Sequence, residues 1–338
     1  MRSRARYLHG PVTDAALALC WLPLACAAHA LAHDPSALRL LVGTVFMLSF
    51  FHQPLTLALV YGDRVQYQAR QQLYRWTPVV ALAAILIGLH VSLAAVAVIG
   101  GLWNAEHTLM QRYGVTRMYG RKAGDDNGAL EKAMIFSWLG LVMVWLAGFA
   151  DLPALVQRIG MGGTNARGVA ILHDFGPLAR WLLVPTLAVV AVTGRRWWLA
   201  ERALGDAANP AKHLYLAATA ALVLTVLVDP IAGFAGYVGS HAFEYFVIVH
   251  RSLRNRARTG DRSALALASA TAGRRVVLYV GYFVAVLGLV LFTWNLWGGR
   301  LYGMAILFFG ALHIFYDGFV WKLRRPQLAA SLGVPVTT

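Results

Sequence analysis

Four histidines of this chain stand inside apolar stretches, where an ionisable side chain needs a partner or a task. His52 lies in Ser49-Phe50-Phe51-His52-Gln53-Pro54 and His107 in Trp103-Asn104-Ala105-Glu106-His107. His241 precedes Glu244 by three residues and His313 precedes Asp317 by four. Spacings of three and four put both members of a pair on one face of a helix. Imidazole nitrogens with a carboxylate form a ligand set for iron, zinc or a related first-row metal. The expected ligands are therefore His52, His107, His241, His313 and Glu244. Glu106, Gln111, Tyr245, Asp317 and His250 are the neighbours expected to orient a ligand or to act on a substrate. His250 follows His241 by nine residues, half a turn out of phase, which assigns it to another surface or to the mouth of the site. A lone histidine in a membrane helix often makes one hydrogen bond to a neighbouring helix. The case for a common site rests on four of them at matched depth.

That depth depends on the elements that carry them. Of the 338 residues, 59% are hydrophobic and 13% charged, with a mean hydropathy of +0.58. A soluble domain carries about a quarter charged residues, so the composition excludes both a soluble enzyme and a disordered chain. The pattern predicts an all-α, polytopic membrane bundle forming a single membrane domain over 1–338. About ten crossings are expected, near 12–32, 38–61, 76–89, 92–114, 133–150, 169–194, 214–234, 237–256, 274–297 and 301–321. The apolar stretch over 76–118 is too long for one crossing of roughly 20 residues and is divided near Gly88-Leu89-His90-Val91. The 237–256 crossing holds His241 and Glu244 and is weaker in hydropathy.

Basic residues give a second reading of topology. With the amino terminus cytoplasmic, the inner segments 1–11, 62–76, 112–132, 195–212, 251–275 and 322–338 hold 25 of the 30 Lys and Arg residues. This asymmetry is the positive-inside pattern, with both termini in the cytoplasm of a bacterial-type inner membrane. On that frame His52 lies roughly 15 Å inside the cytoplasmic boundary at 1.5 Å per residue. His107, His241 and His313 fall in the same half. Arg2, Arg4 and Arg6 before the first apolar run, with Ala28-His29-Ala30 near its end, imitate a signal peptide; an uncleaved first helix is expected instead.

The formal net charge of +15 would suggest nucleic acid if it formed one patch. Here it is dispersed between spans, so no nucleic-acid partner is expected. Arg64, Arg112, Arg117, Arg121, Lys122 and Arg251 are candidate contacts to lipid headgroups, with Asp63 placed to bridge to this rim. Cys20 and Cys26 sit six apart on one helix and imply no disulfide. Phosphate-binding glycine loops, His-Glu-x-x-His, Gly-x-Ser-x-Gly and Cys-x-x-Cys are absent from the sequence. So is the His-His pair of membrane desaturases. Gly160, Gly162 and Gly163 mark an outer loop.

These features together predict a membrane-embedded, metal-dependent enzyme. The preferred form is an iron oxidoreductase, mono- or dinuclear, acting on a lipid or another hydrophobic substrate with an electron donor. The alternatives are a b-type haem electron-transfer protein, a zinc-dependent hydrolase and a transporter. Irregular helices at Pro54, Asp229-Pro230 and the Gly233, Gly236 and Gly239 region would favour the transporter.

Overall fold

The computed structural model describes residues 6–160, 169–258, 261, 263–296 and 300–335, all helix, turn or coil, with no strand among them. Gly162 and Gly163 of the expected outer loop lie outside the described residues. The long helices are α1 (Pro11–Ala30, broken at Cys20), α2 (Pro35–Tyr61), α3 (Gln71–Val91), α4 (Leu93–Ala123) and α5 (Gly128–Phe149). They continue with α6 (Gly176–Ala203), α7 (Pro210–Val228), α8 (Pro230–Arg258), α9 (Ala272–Leu296) and α10 (Arg300–Val320). Among the described residues, eight helices are long and apolar enough to cross a membrane: all of these except α4 and α8. Those two are just as long but more polar. They carry Glu106, His107, Gln111 and Arg112 on one, and His241, Glu244, His250 and Arg251 on the other.

Local sequence explains where these helices begin. Pro11 opens α1, where its missing N–H is no loss, and the buried Asp14 reaches back to the backbone N–H groups of Leu8 and His9 at 2.7 and 2.9 Å. Pro230 opens α8 in the same way. Asp229 caps it, accepting from Ala232 N–H at 3.1 Å while its other oxygen meets His29 Nδ1 at 2.9 Å. Two cytoplasmic linkers expected from the charge pattern are partly helix: α4 continues to Ala123 and α8 to Arg258. α2 passes through Pro54, and α8 runs unbroken through Gly233, Gly236 and Gly239. Of the irregular helices that would have favoured a transporter, none forms at Pro54 or at these glycines, whereas the chain does break at Asp229, between α7 and α8.

The chain divides into two compact units. The first comprises Met1–Phe46 and Ala97–Phe243. Its core joins Trp21, Ala25 and Ala28 of α1 to Leu38, Val42 and Val45 of α2, with Leu222 of α7 and Ile231, Ala235 and Val238 of α8. Glycines allow these helices to approach closely. A Cβ on Gly239 would lie 2.2 Å from Leu24 Cδ1, and one on Gly233 would lie 2.4 Å from the Val226 Cα. A side-chain tip can move aside, whereas the Val226 backbone cannot. Gly233→Ala is therefore expected to destabilise the protein by about 1–3 kcal/mol through overpacking, seen as a lower melting temperature in detergent. Gly273→Ala, with no atom within 4 Å of its added carbon, should leave that temperature unchanged.

The second unit comprises Met47–Val96 and Glu244–Thr338. Leu55, Leu59 and Val60 of α2 pack there with Tyr74 of α3, Tyr245, Val249 and Leu253 of α8, and Leu312, Tyr316 and Val320 of α10. A smaller cluster joins Phe50 to Val286 and Val290 of α9. The short helix Pro326–Leu332 is fixed to α8, with Arg251 Nε donating to Leu332 O at 2.6 Å and Asn255 to Ser331 O at 2.9 Å. Elsewhere the long helices present large apolar side chains outward, such as Val80 and Ile87 of α3, Trp181 and Val184 of α6, and Val277 and Val284 of α9. That is the surface a lipid solvent requires.

Candidate metal centre and buried ion network

In the second unit, His52 of α2 and His313 of α10 are both buried, and their Nε2 atoms lie 3.1 Å apart. Two nitrogens bound to one first-row metal at about 2.0–2.1 Å, in tetrahedral or octahedral geometry, stand about 2.9–3.4 Å apart. The observed separation falls in that interval.

The opposite edge of the His313 ring is held by hydrogen bonds. His313 Nδ1 lies 2.7 Å from Thr56 Oγ1, and the Thr56 hydroxyl donates to Asp317 Oδ1 at 3.0 Å. Tyr245 OH donates to the same carboxylate oxygen at 3.1 Å and also contacts Thr56 Oγ1, while Trp321 Nε1–H donates to the Tyr245 oxygen at 3.4 Å. A Thr56 hydroxyl that gives its one proton to Asp317 can accept from Nδ1–H of His313. The Nε2 lone pair of His313 is then directed at His52, as a ligand lone pair must be. Without a metal the two nitrogens can share one N–H···N hydrogen bond. Backbone packing holds the other ring. Pro54 supplies no N–H to the turn carrying His52, and Tyr282 OH donates to Phe51 O at 2.5 Å.

In the first unit, His107 of α4 and His241 of α8 are buried edge to face, ring centres 5.0 Å apart and planes at 89°. Gln111 Nε2 donates to His241 O at 3.0 Å and Tyr237 OH to Ala105 O at 2.6 Å, so hydrogen bonds tie the two helices together around this pair. Buried His, Asp and Glu side chains of this chain thus have the chemistry to hold a metal ion.

The remaining expected residues are distributed as follows. Glu244 is fully buried on α8 in the second unit, beside Tyr245 in sequence. Glu106 is partly exposed on α4, and His250 Nδ1 meets Tyr279 OH at 2.8 Å. Arg64 is exposed, and Arg121 and Lys122 are half-buried. Three guanidiniums expected at headgroups are instead engaged inside the protein. Arg112 is fully buried and donates to Thr219 Oγ1 at 3.1 Å and Ser240 Oγ at 2.7 Å. Arg251 holds the C-terminal helix, as described above. Arg117 enters an ion network. Charge and chain position suggested the rim for all three, but the helix faces that carry them turn inward. Asp63 does meet a cation of the 251–275 segment: Arg256 donates to it at 2.6 Å.

The ion network of the first unit was not expected from the sequence. Lys212 Nζ, fully buried at the start of α7, contacts Asp125 at 2.7 Å, Glu131 at 3.0 Å and Glu201 at 2.5 Å. Arg117 Nη1 donates to Asp125 and Glu131, each at 2.8 Å, and His213 Nε2 lies 2.8 Å from Glu201. Oxygens of the three carboxylates lie within 4.8 Å of one another, close enough to chelate an ion. The Lys212 ammonium supplies the positive charge they share. One signal was available. In a chain with only 15 acidic residues, Glu131 and Glu201 next to apolar runs needed an account.

Burial opposes ionisation of Asp125, but hydrogen bonds from Lys212 and Arg117 outweigh it and hold the carboxyl below its ordinary value of 3.8. A depressed carboxylate stabilises the fold fully above its unfolded value and loses that contribution as pH falls through the folded one. The melting temperature should accordingly fall below about pH 4, and Asp125→Asn should be less stable at neutral pH with a flatter acid limb.

Compared with family models, with curated proteins and with solved structures, the chain has no significant match.

Proposed function

We propose that the chain is a metal-dependent membrane oxidoreductase that acts on a lipid or another hydrophobic molecule and uses iron. On this reading it crosses a bacterial-type inner membrane ten times, α4 and α8 included, with both termini cytoplasmic. His52 and His313 are the nitrogen ligands, and Glu244 from the same unit is the carboxylate. Two imidazoles and one carboxylate with open positions are the ligand set of non-haem iron oxygenases. His107 and His241 form a second histidine pair in the other unit. Bound iron would supply redox chemistry at an unreactive carbon. The residues around it do the rest: Thr56 and Asp317 hold the proton on His313 Nδ1, Tyr245 steadies Asp317, and the apolar bundle excludes water.

The observation that carries this reading is the 3.1 Å separation of the two Nε2 atoms, with the far edge of His313 held by Thr56. Elemental analysis and an absorption spectrum of the detergent-purified chain test the proposal. Iron at a fixed ratio to protein with no Soret band is the expected result. Zinc alone would make it a hydrolase, a Soret band would make it a haem protein, and no bound metal would end the reading.

A further inference from the structure

We propose that Arg70, Lys322, Arg324 and Arg325 form a binding site for the phosphate of an anionic lipid headgroup. All four belong to the second unit. Arg70 Cζ lies 4.8 Å and Lys322 Nζ 5.0 Å from the centre of one ring, that of Phe319. The two cations are therefore within about 10 Å of each other. Arg325 Nη1 donates to Gln66 Oε1 at 3.0 Å, which ties the segment after α10 to the short helix Arg64–Gln68 that precedes Arg70. Proximity of the four charges also shows in their effect on Lys322. Slight burial and then the adjoining charges of Arg324, Arg70 and Arg325 push its ammonium below the ordinary lysine value.

What the cluster lacks is an anion. Arg256 pairs with Asp63, and Arg117 with Asp125 and Glu131. Among the described residues no carboxylate pairs with any of these four, and Arg70 Nε is a buried donor with no hydrogen-bond partner. Like charges held together by an aromatic ring and a glutamine repel one another, and a bound phosphate removes that cost. The position favours a lipid over a free phosphate. Arg70 immediately precedes α3, and Lys322 follows the apolar span Leu301–Val320 by two residues. Cations at the ends of two spans lie at headgroup level, where a Lys or Arg contributes about 1 kcal/mol of attraction to anionic lipid.

Native mass spectrometry of the full chain, released from micelles doped with phosphatidylglycerol or phosphatidylcholine, tests the site. We expect a retained phosphatidylglycerol adduct and no corresponding phosphatidylcholine adduct. Lys322→Gln with Arg324→Gln should weaken retention roughly 30-fold. Phe319→Leu, which keeps an apolar side chain and removes the ring, should weaken it severalfold. Arg75→Gln with Arg274→Gln removes the same charge elsewhere and should leave retention unchanged. Melting temperatures of all variants establish that they are folded. Displacement of the lipid by millimolar inorganic phosphate would assign the site to free phosphate, and resistance to it would assign it to the lipid. Equal loss in both charge-removed pairs, or no preference over phosphatidylcholine, would overturn the proposal.

Discussion

Lys212→Met should be the most damaging single substitution in the first unit. The methionine fills a similar volume, so packing is nearly conserved. The loss is electrostatic: Asp125, Glu131 and Glu201 would share a buried site without the ammonium that now contacts all three. Removing one partner from a buried ion pair costs about 3–5 kcal/mol, because the remaining charge is left uncompensated. In a helical protein of this size that corresponds to a fall in melting temperature on the order of 10 °C. Adding Glu201→Gln to Lys212→Met should recover part of the loss, since one stranded charge is gone. A Lys212→Met protein that melts with the wild type would show that the network contributes nothing to stability.

The second large effect concerns the histidine pair. His52→Ala and His313→Ala should each bring metal content to background after dialysis against a weak chelator, with both variants still folded. Thr56→Val should weaken metal binding about 10–100-fold, the usual effect of removing a group that orients a ligand. Valine matches the shape of threonine but cannot accept from His313 Nδ1 or donate to Asp317 Oδ1. Thr56→Ser keeps both bonds and should retain the metal. Unchanged metal content in the alanine variants would place the metal elsewhere in the chain.

Hydropathy made most of the helices legible, and the in-span histidines made the site legible by type. His52, His313, Asp317 and Tyr245 were all singled out by being polar inside apolar runs, and they meet in one unit. Thr56 was not, for a physical reason. Threonine in a long helix ordinarily bonds the carbonyl one turn back, as Thr44, Thr77, Thr116, Thr219, Thr225 and Thr293 do here. Nothing in sequence separates Thr56 from these, although its hydroxyl is turned to another helix. The ion network was hidden differently. Its members run from Arg117 to His213, on several helices and the turn between two of them, and charge near a span end reads as an exposed rim. Arg112 and Arg251 show the same limit. Position along the chain gives distance from a boundary, whereas the face a residue occupies depends on which helix packs against it.

The polarity of α8 has a consequence for how the protein is made. A central Lys, Arg or Asp costs about 2.5–3.5 kcal/mol on insertion scales, and α8 carries Glu244 with His241 near its middle and arginines toward its end. Lipid alone does not offset such a segment. Its partners in the first unit come from α1, α2 and α7, and all three leave the ribosome before it. On the ten-span reading, α8 enters the bilayer by joining helices already there, so the segment that carries much of the proposed chemistry depends on its predecessors for membrane entry.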